Sequence, residues 1–218
     1  MRPYYILVHG IGEEGVYENT VGQLYKGLYA SADGPDKILP FMWSPSHFWN
    51  VRKRAKLAGR RLAEHVKLFR KHSHSASPVN VVAHSAGALV IKYAMENGAV
   101  FNDLFLISPA ISRDPKYPSD KYDRAFVFHN SLDIAVLFGS LLPFHLFGAL
   151  GTRGFKKTDG KQINLPVPSK KGRWNHSSNW FEGGRCAWMA DQIVQWSHTH
   201  YKEPAKKELD EKAKNEEV

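Results

Sequence analysis

The chain has 218 residues, of which 43% are hydrophobic and 23% charged, a balance that suits one globular domain and excludes a disordered polymer. A chain of this length buries roughly 70% of its unfolded surface on folding, so its core needs neither disulfides nor a structural metal. The single cysteine, Cys186, excludes an internal disulfide and any multi-cysteine zinc site, and the net charge of +9 permits anionic partners without selecting among them.

The first residues, MRPYYILVHGIG, run straight into an apolar β-type segment. They lack the apolar core and small-residue cleavage site of a secretory leader, so a cytoplasmic product is expected. Tyr4–Val8 reads as a strand, and His9-Gly10-Ile11-Gly12 follows it as an H-G-x-G turn. Such a turn can aim backbone N–H groups at a developing negative oxygen, although alone it is a common tight turn. A second strand is expected over Lys37–Trp43.

From Phe48 to His72, the residues Val51, Ala55, Ala58, Leu62, Val66 and Phe69 recur at steps of three and four and predict a helix. Its other face carries Arg52, Lys53, Arg54, Lys56, Arg60, Arg61, Lys67, Arg70 and Lys71 against Glu64 alone. That face is read as a solvated surface, with an anion-docking surface as the functional alternative.

Val79–Ala83 is the third predicted strand, followed at once by His84-Ser85-Ala86-Gly87 and a helical run closed by Asn97-Gly98. Strand, sharp turn and helix form the setting of a nucleophile elbow, in which small neighbours let a serine hydroxyl stand out at the edge of a sheet. Ala83 stands where glycine is usual. A serine that merely caps the helix is the competing reading. Further strands are expected over Leu104–Ile107 and Ala125–Phe128. Strands alternating with crossover-length segments predict an α/β architecture with a mostly parallel sheet.

Asp133 comes just past the last of these strands, within Asn130-Ser131-Leu132-Asp133, where it serves either as an orienting acid or as the cap of a helix starting at Ile134. Asp114, after the preceding strand, is the rival acid. Ile134–Leu150 is apolar but broken by Pro143, His145 and small residues. It is read as a buried or lid-like segment rather than a membrane span, with insertion into a membrane surface as the alternative. Residues 151–173 hold four Gly, two Pro and seven basic residues, and are read as a long irregular loop with at most a short hairpin. Among the histidines, His176 fits a base best, in a loop before a terminal helix around Gly183–His198. The pairs His72/His74 and His198/His200 lack a consistent carboxylate partner, so no metal site is expected. Residues 202–218 carry five Lys against six acidic residues and are expected to form a flexible tail to a domain over 1–201.

With its H-G-x-G turn, its Ala83-x-Ser85-x-Gly87 elbow and the order Ser85, Asp133, His176, the chain resembles the α/β-hydrolase superfamily over roughly residues 4–200, in particular its lipase-like serine esterases. The resemblance implies a compact α/β-hydrolase fold, a mostly parallel sheet with helices on both faces and at most a small lid. It implies Ser85 as nucleophile, Asp133 as acid, His176 as base, and the N–H groups of Ile11 and Ala86 as an oxyanion hole, with His9, Gly10, Gly12 and Gly87 in the supporting turns. No metal or organic cofactor is implied. The expected substrate is a small or lipid-like acyl ester, with a thioester served by the same groups.

Phe48, Trp49, Trp174, Trp180 and Phe181 are candidates for an apolar acyl pocket, and Lys156, Lys157, Lys170, Lys171 and Trp174 for a substrate rim. An anionic membrane surface is a candidate partner for the basic face. The alternative from another class is an inactive module of the same fold that docks on anionic membrane or nucleic acid, but no nucleic-acid motif accompanies the basic helix.

Overall fold

Six short strands, Tyr4–Val8 (β1), Ile38–Phe41 (β2), Val79–His84 (β3), Asp103–Ile107 (β4), Arg124–His129 (β5) and Gln162–Pro166 (β6), form one sheet in the order β2-β1-β3-β4-β5-β6. Every neighbouring pair is parallel. The structure is a computed structural model that describes residues 3–11, 20–31, 38–44, 50–72, 77–133, 135–136, 148–156, 158, 160–167, 176 and 185–197. Its helices are Thr20–Ser31 (α1), Val51–His72 (α2), Gly87–Glu96 (α3), Leu150–Arg153 (α4) and residues 185–197 (α5). No helix among the described residues is long and apolar enough to cross a membrane. The tail 202–218 and most of the Ile134–Leu150 segment lie outside the described residues.

The strands are apolar on both sides because a parallel sheet is covered on both faces. Side chains alternate along each strand. Ile6, Val8, Val81, Ala83, Leu104, Leu106, Ala125 and Val127 therefore share one core with α2 and α3. Tyr5, Leu7, Val82, Phe105, Ile107, Phe126 and Phe128 share the other with Leu24 and Leu28 of α1 and with Met189, Ala190 and Ile193 of α5. The helical stripe read from the sequence is the buried face of α2: Val51, Ala55, Ala58, Leu62 and Val66 are all in the core. Each fully buried Val or Leu of this stripe contributes roughly 1.5–3 kcal/mol, and the two alanines less. Phe69 completes the stripe by stacking on Tyr4, ring centroids 4.2 Å apart.

α2 and α3 pack closely because Gly59 has no side chain. A Cβ there would lie 2.5 Å from Tyr93 Cβ and 2.8 Å from the Ala94 nitrogen. In an open helix alanine would be better than glycine by about 1 kcal/mol. Here the obstacle includes backbone, which no rotamer change relieves, and overpacking costs about 1–3 kcal/mol. Gly59→Ala is therefore expected to lower the melting temperature by several degrees in a circular-dichroism melt, and a raised melting temperature would contradict this packing.

The amino edge of the sheet is tied by Asp103, fully buried, which accepts from Arg124 Nε at 2.9 Å and from a terminal guanidinium nitrogen at 2.8 Å. Arg124 also donates to the Trp196 carbonyl of α5 at 2.9 Å. A buried charge is tolerated when its bonds are filled in this way.

One expectation is corrected. Residues 151–173 are not an irregular loop throughout: they contain most of α4 and the whole of β6, which extends the sheet in parallel from Ala125↔Gln162 to His129↔Pro166. β6 is an edge strand whose residues are all at least partly exposed, and proline closes it. Its sequence QINLP consequently lacks the apolar run that marks a central strand.

The strand order places a topological switch between β1 and β3, with β2 and β4 leading away on opposite sides. Ligands of open parallel sheets bind beyond the carboxyl ends of the strands at such a point. The residues that stand there are His9 and Gly10, after β1, and Ser85, after β3.

Candidate active site

β3 is buried along its whole length and stops at His84. Ser85 then takes φ 52°, a left-handed conformation that is strained for a residue with a side chain. Its backbone is held from both sides. The Ser85 N–H donates to the Ile107 carbonyl at 3.0 Å, and its carbonyl accepts from Ala88 at 3.3 Å and Ala110 at 3.0 Å. The first residue flanking α3 is Ala86, which makes no side-chain cap bond. This corrects the competing capping reading of Ser85, whose hydroxyl is engaged elsewhere. Gly87 lets α3 begin against β1, because a Cβ there would sit 2.7 Å from the Val8 carbonyl oxygen and 2.9 Å from that of His9.

Asp133 follows β5 through a turn in which the Leu132 N–H donates to Asn130 Oδ1 at 2.9 Å. Its carboxylate is fully buried and completely used. Oδ1 accepts the Val136 N–H at 3.0 Å, Oδ2 accepts the Ser108 hydroxyl at 2.6 Å, and His176 Nδ1 lies 2.9 Å from Oδ2 and 3.0 Å from Oδ1. The helix-capping bond to Val136 and the bond to His176 thus coexist in one side chain. A carboxylate only accepts, so His176 Nδ1 carries the proton and donates it. Nε2 is then the acceptor for the Ser85 hydroxyl, at 2.9 Å. Residues 85, 133 and 176, far apart in the chain, form one hydrogen-bonded line running from the crevice into the core. The rival acid Asp114 is exposed, and its backbone N–H donates to Ser112 Oγ at 3.3 Å.

The sequence matches no protein-family model and no curated protein. Solved structures nevertheless share its architecture. A sugar hydrolase (YeeB) from Lactococcus lactis aligns with a TM-score of 0.56 at 12% identity, covering 93% of this chain and 91% of its own. An alpha/beta hydrolase superfamily protein from Enterococcus faecalis aligns with a TM-score of 0.51 at 9% identity, covering 89% of this chain and 90% of its own. The chain has an α/β-hydrolase fold. An uncharacterized protein from Bacillus cereus ATCC 10987 is similar as well, with a TM-score of 0.57 at 15% identity, over 91% of this chain and 60% of its own. Identities this low speak for the fold alone, and function must be argued from the site.

Within this hydrolase fold the turn after β1 lies directly against the elbow: a Cβ on Gly10 would be 2.9 Å from Ser85 Cβ. His9 is buried and braces the turn. Its Nδ1–H donates to the Gly10 carbonyl at 2.7 Å, while Nε2 accepts the Trp43 N–H at 3.2 Å. Trp43 Nε1 in turn donates to the His9 carbonyl at 2.8 Å. Ile11 is half-buried, and Ala86 is buried at the start of α3, where the first N–H groups of a helix have no acceptor within it. The His84 ring packs 4.9 Å from the His176 ring. Cys186 is no rival nucleophile, since burial pushes its thiol up to about 11.

Of the residues assigned to the rim, Lys156 is exposed between α4 and β6, and its N–H donates to the Arg113 carbonyl at 3.2 Å. Lys157, Lys170, Lys171 and Trp174 lie outside the described residues, as do Gly12 and the pocket candidates Phe48, Trp49, Trp180 and Phe181. Among the described residues no group of three His, Cys, Asp or Glu side chains stands together as a metal site. Ser108 is the residue that sequence reasoning missed. It follows β4 directly, is fully buried and holds φ 43° while donating to Asp133. A serine at a strand's carboxyl end, on the same edge as Ser85 and Asp133, was the only sign of it in the sequence.

Proposed function

We propose that the chain is a serine hydrolase that cleaves carboxylic esters through an acyl-enzyme on Ser85. The observation that carries this reading is the unbroken hydrogen-bonded line from the Ser85 hydroxyl through His176 to the buried Asp133 carboxylate. In the proposed reaction Ser85 Oγ attacks the ester carbonyl carbon as its proton passes to His176 Nε2. Asp133 stays ionised, keeps the proton on Nδ1 and stabilises the imidazolium. The tetrahedral oxyanion is assigned to the N–H groups of Ile11 and Ala86. His9 supports the first of these: the Gly10 carbonyl it holds belongs to the same trans peptide as the Ile11 N–H, so fixing one fixes the direction of the other. His176 then returns the proton to the departing alcohol oxygen, and water repeats the sequence on the acyl-enzyme, releasing the acid and restoring Ser85.

An inactive module has no need of a serine in a strained conformation aligned with an imidazole and a fully bonded carboxylate. The test is pre-steady-state hydrolysis of 4-nitrophenyl butyrate by the purified chain. A burst of nitrophenolate equal to the protein concentration, followed by slower steady release, is expected; no release above the buffer rate would overturn the reading.

Ser108 positions the acid in this scheme. Ser108→Gly removes the hydroxyl but relieves the positive φ, so it is expected to lower kcat by roughly tenfold, the size of one lost hydrogen bond to a charged group. Its melting temperature should stay within a few degrees of wild type. A kcat unchanged by Ser108→Gly would show that Asp133 is held adequately without it.

A further inference from the structure

A cavity of about 410 Å³ lies between the residues that follow β2 and α2. One wall is apolar, made by Trp43, Leu57 and Ala58. Leu57 is a large apolar side chain left 49% exposed there. The remaining lining is mostly cationic, with Arg54, Arg60 and Arg61 against Glu64. Arg61 is already engaged: it donates to the Met42 carbonyl at 2.8 Å and its guanidinium stands 5.6 Å over the Phe41 ring. Arg54 and Arg60 are exposed, and neither has a hydrogen-bond or ion-pair partner among the described residues. Six helical positions apart, they stand roughly 9 Å from each other along the axis of α2.

An apolar wall with two uncommitted guanidinium groups at its border has a definite ligand chemistry. The wall favours a hydrocarbon body, and the planar fork of each arginine matches the two oxygens of a carboxylate or phosphate. The volume is in the range of small-molecule sites. We propose that this cavity binds an amphiphilic anion, its apolar body against Trp43, Leu57 and Ala58 and its anionic head on Arg54 and Arg60. The site is separate from Ser85, yet it shares Trp43 with the His9-Gly10 turn through the two hydrogen bonds that join Trp43 to His9.

The test is calorimetric titration of the full chain with decanoate, decyl phosphate, decanol and inorganic phosphate. Decanoate and decyl phosphate carry the two head groups of the proposed class, and saturable binding of either supports the site. Decanol lacks the charge and inorganic phosphate lacks the body, so each is expected to bind at least about tenfold more weakly. The double variant Arg54→Gln/Arg60→Gln should weaken the amphiphile by roughly tenfold or more. Lys67→Gln/Lys71→Gln removes the same charge from exposed positions of α2 outside the cavity, roughly 10 and 16 Å along the axis beyond Arg60, and should leave the affinity within about twofold, since charges at that distance are screened. Leu57→Asp, a third lesion at an exposed position, should weaken binding as the arginine variant does. The proposal is overturned by equal losses in the two double variants, by an affinity insensitive to Arg54 and Arg60, or by the absence of saturable binding. None of these readouts involves turnover, so the result stands whether or not Ser85 proves to be a nucleophile.

Discussion

Ser85→Ala is expected to lower the turnover of 4-nitrophenyl butyrate by roughly 10⁴- to 10⁶-fold, because loss of the nucleophile leaves only binding and oxyanion stabilisation to a passing water. The loss should not come from unfolding. Ser85 is held by its backbone bonds to Ile107, Ala88 and Ala110, and alanine keeps those bonds and the same Cβ. The variant should therefore melt within a few degrees of wild type, as checked by circular dichroism beside the kinetic assay. Substantial hydrolysis by the folded variant would mean that the reaction is carried out elsewhere in the chain.

The second large effect is expected at His176 and Asp133. His176→Ala removes the base and should cost about 10⁴-fold or more in kcat. Asp133→Asn should cost a similar factor for a different reason. Both oxygens of Asp133 accept hydrogen bonds, from Val136, Ser108 and His176, and an amide nitrogen in either place meets a donor. If it turns toward His176 it forces the imidazole proton onto Nε2, which then cannot accept from Ser85, a change of tautomer that alone lowers kcat by about 10⁴. A loop position does not make Asp133 structurally neutral. Its carboxylate is fully buried, so the asparagine variant should lose stability by about 1–3 kcal/mol as well. Asp114→Asn, at an exposed position, should change neither property, and an essential Asp114 would contradict the assignment of the acid.

Much of this arrangement was legible in the chain because it rests on local patterns. Tyr4–Val8 and Val79–Ala83 are apolar runs that end in glycine or small residues, so strand and turn can be read together. The stripe through Val51 and Val66 has a helical period that needs no tertiary information. The order Ser85, Asp133, His176 is a property of topology, since successive parallel strands bring their carboxyl ends to one edge.

What escaped was set by contacts between distant segments. β6 is half-exposed at the sheet edge, so QINLP resembles a loop, and only its pairing with β5 makes it a strand. Ser108 is an unremarkable serine until Asp133 lies against it. Of the cationic rim expected at Lys156, Lys157, Lys170 and Lys171, only Lys156 is among the described residues, and a cationic cavity lies along α2, on the basic face whose anion-docking alternative the helix period had already exposed.

Covalent labelling tests the central claim most directly. The folded chain is treated with a fluorophosphonate, its intact mass is recorded, and the modified peptide is sequenced by tandem mass spectrometry. The account predicts one adduct per chain on Ser85, no adduct on Ser85→Ala, and loss of ester turnover in proportion to labelling. An adduct on another residue, or full ester turnover by chains labelled to completion, would contradict it.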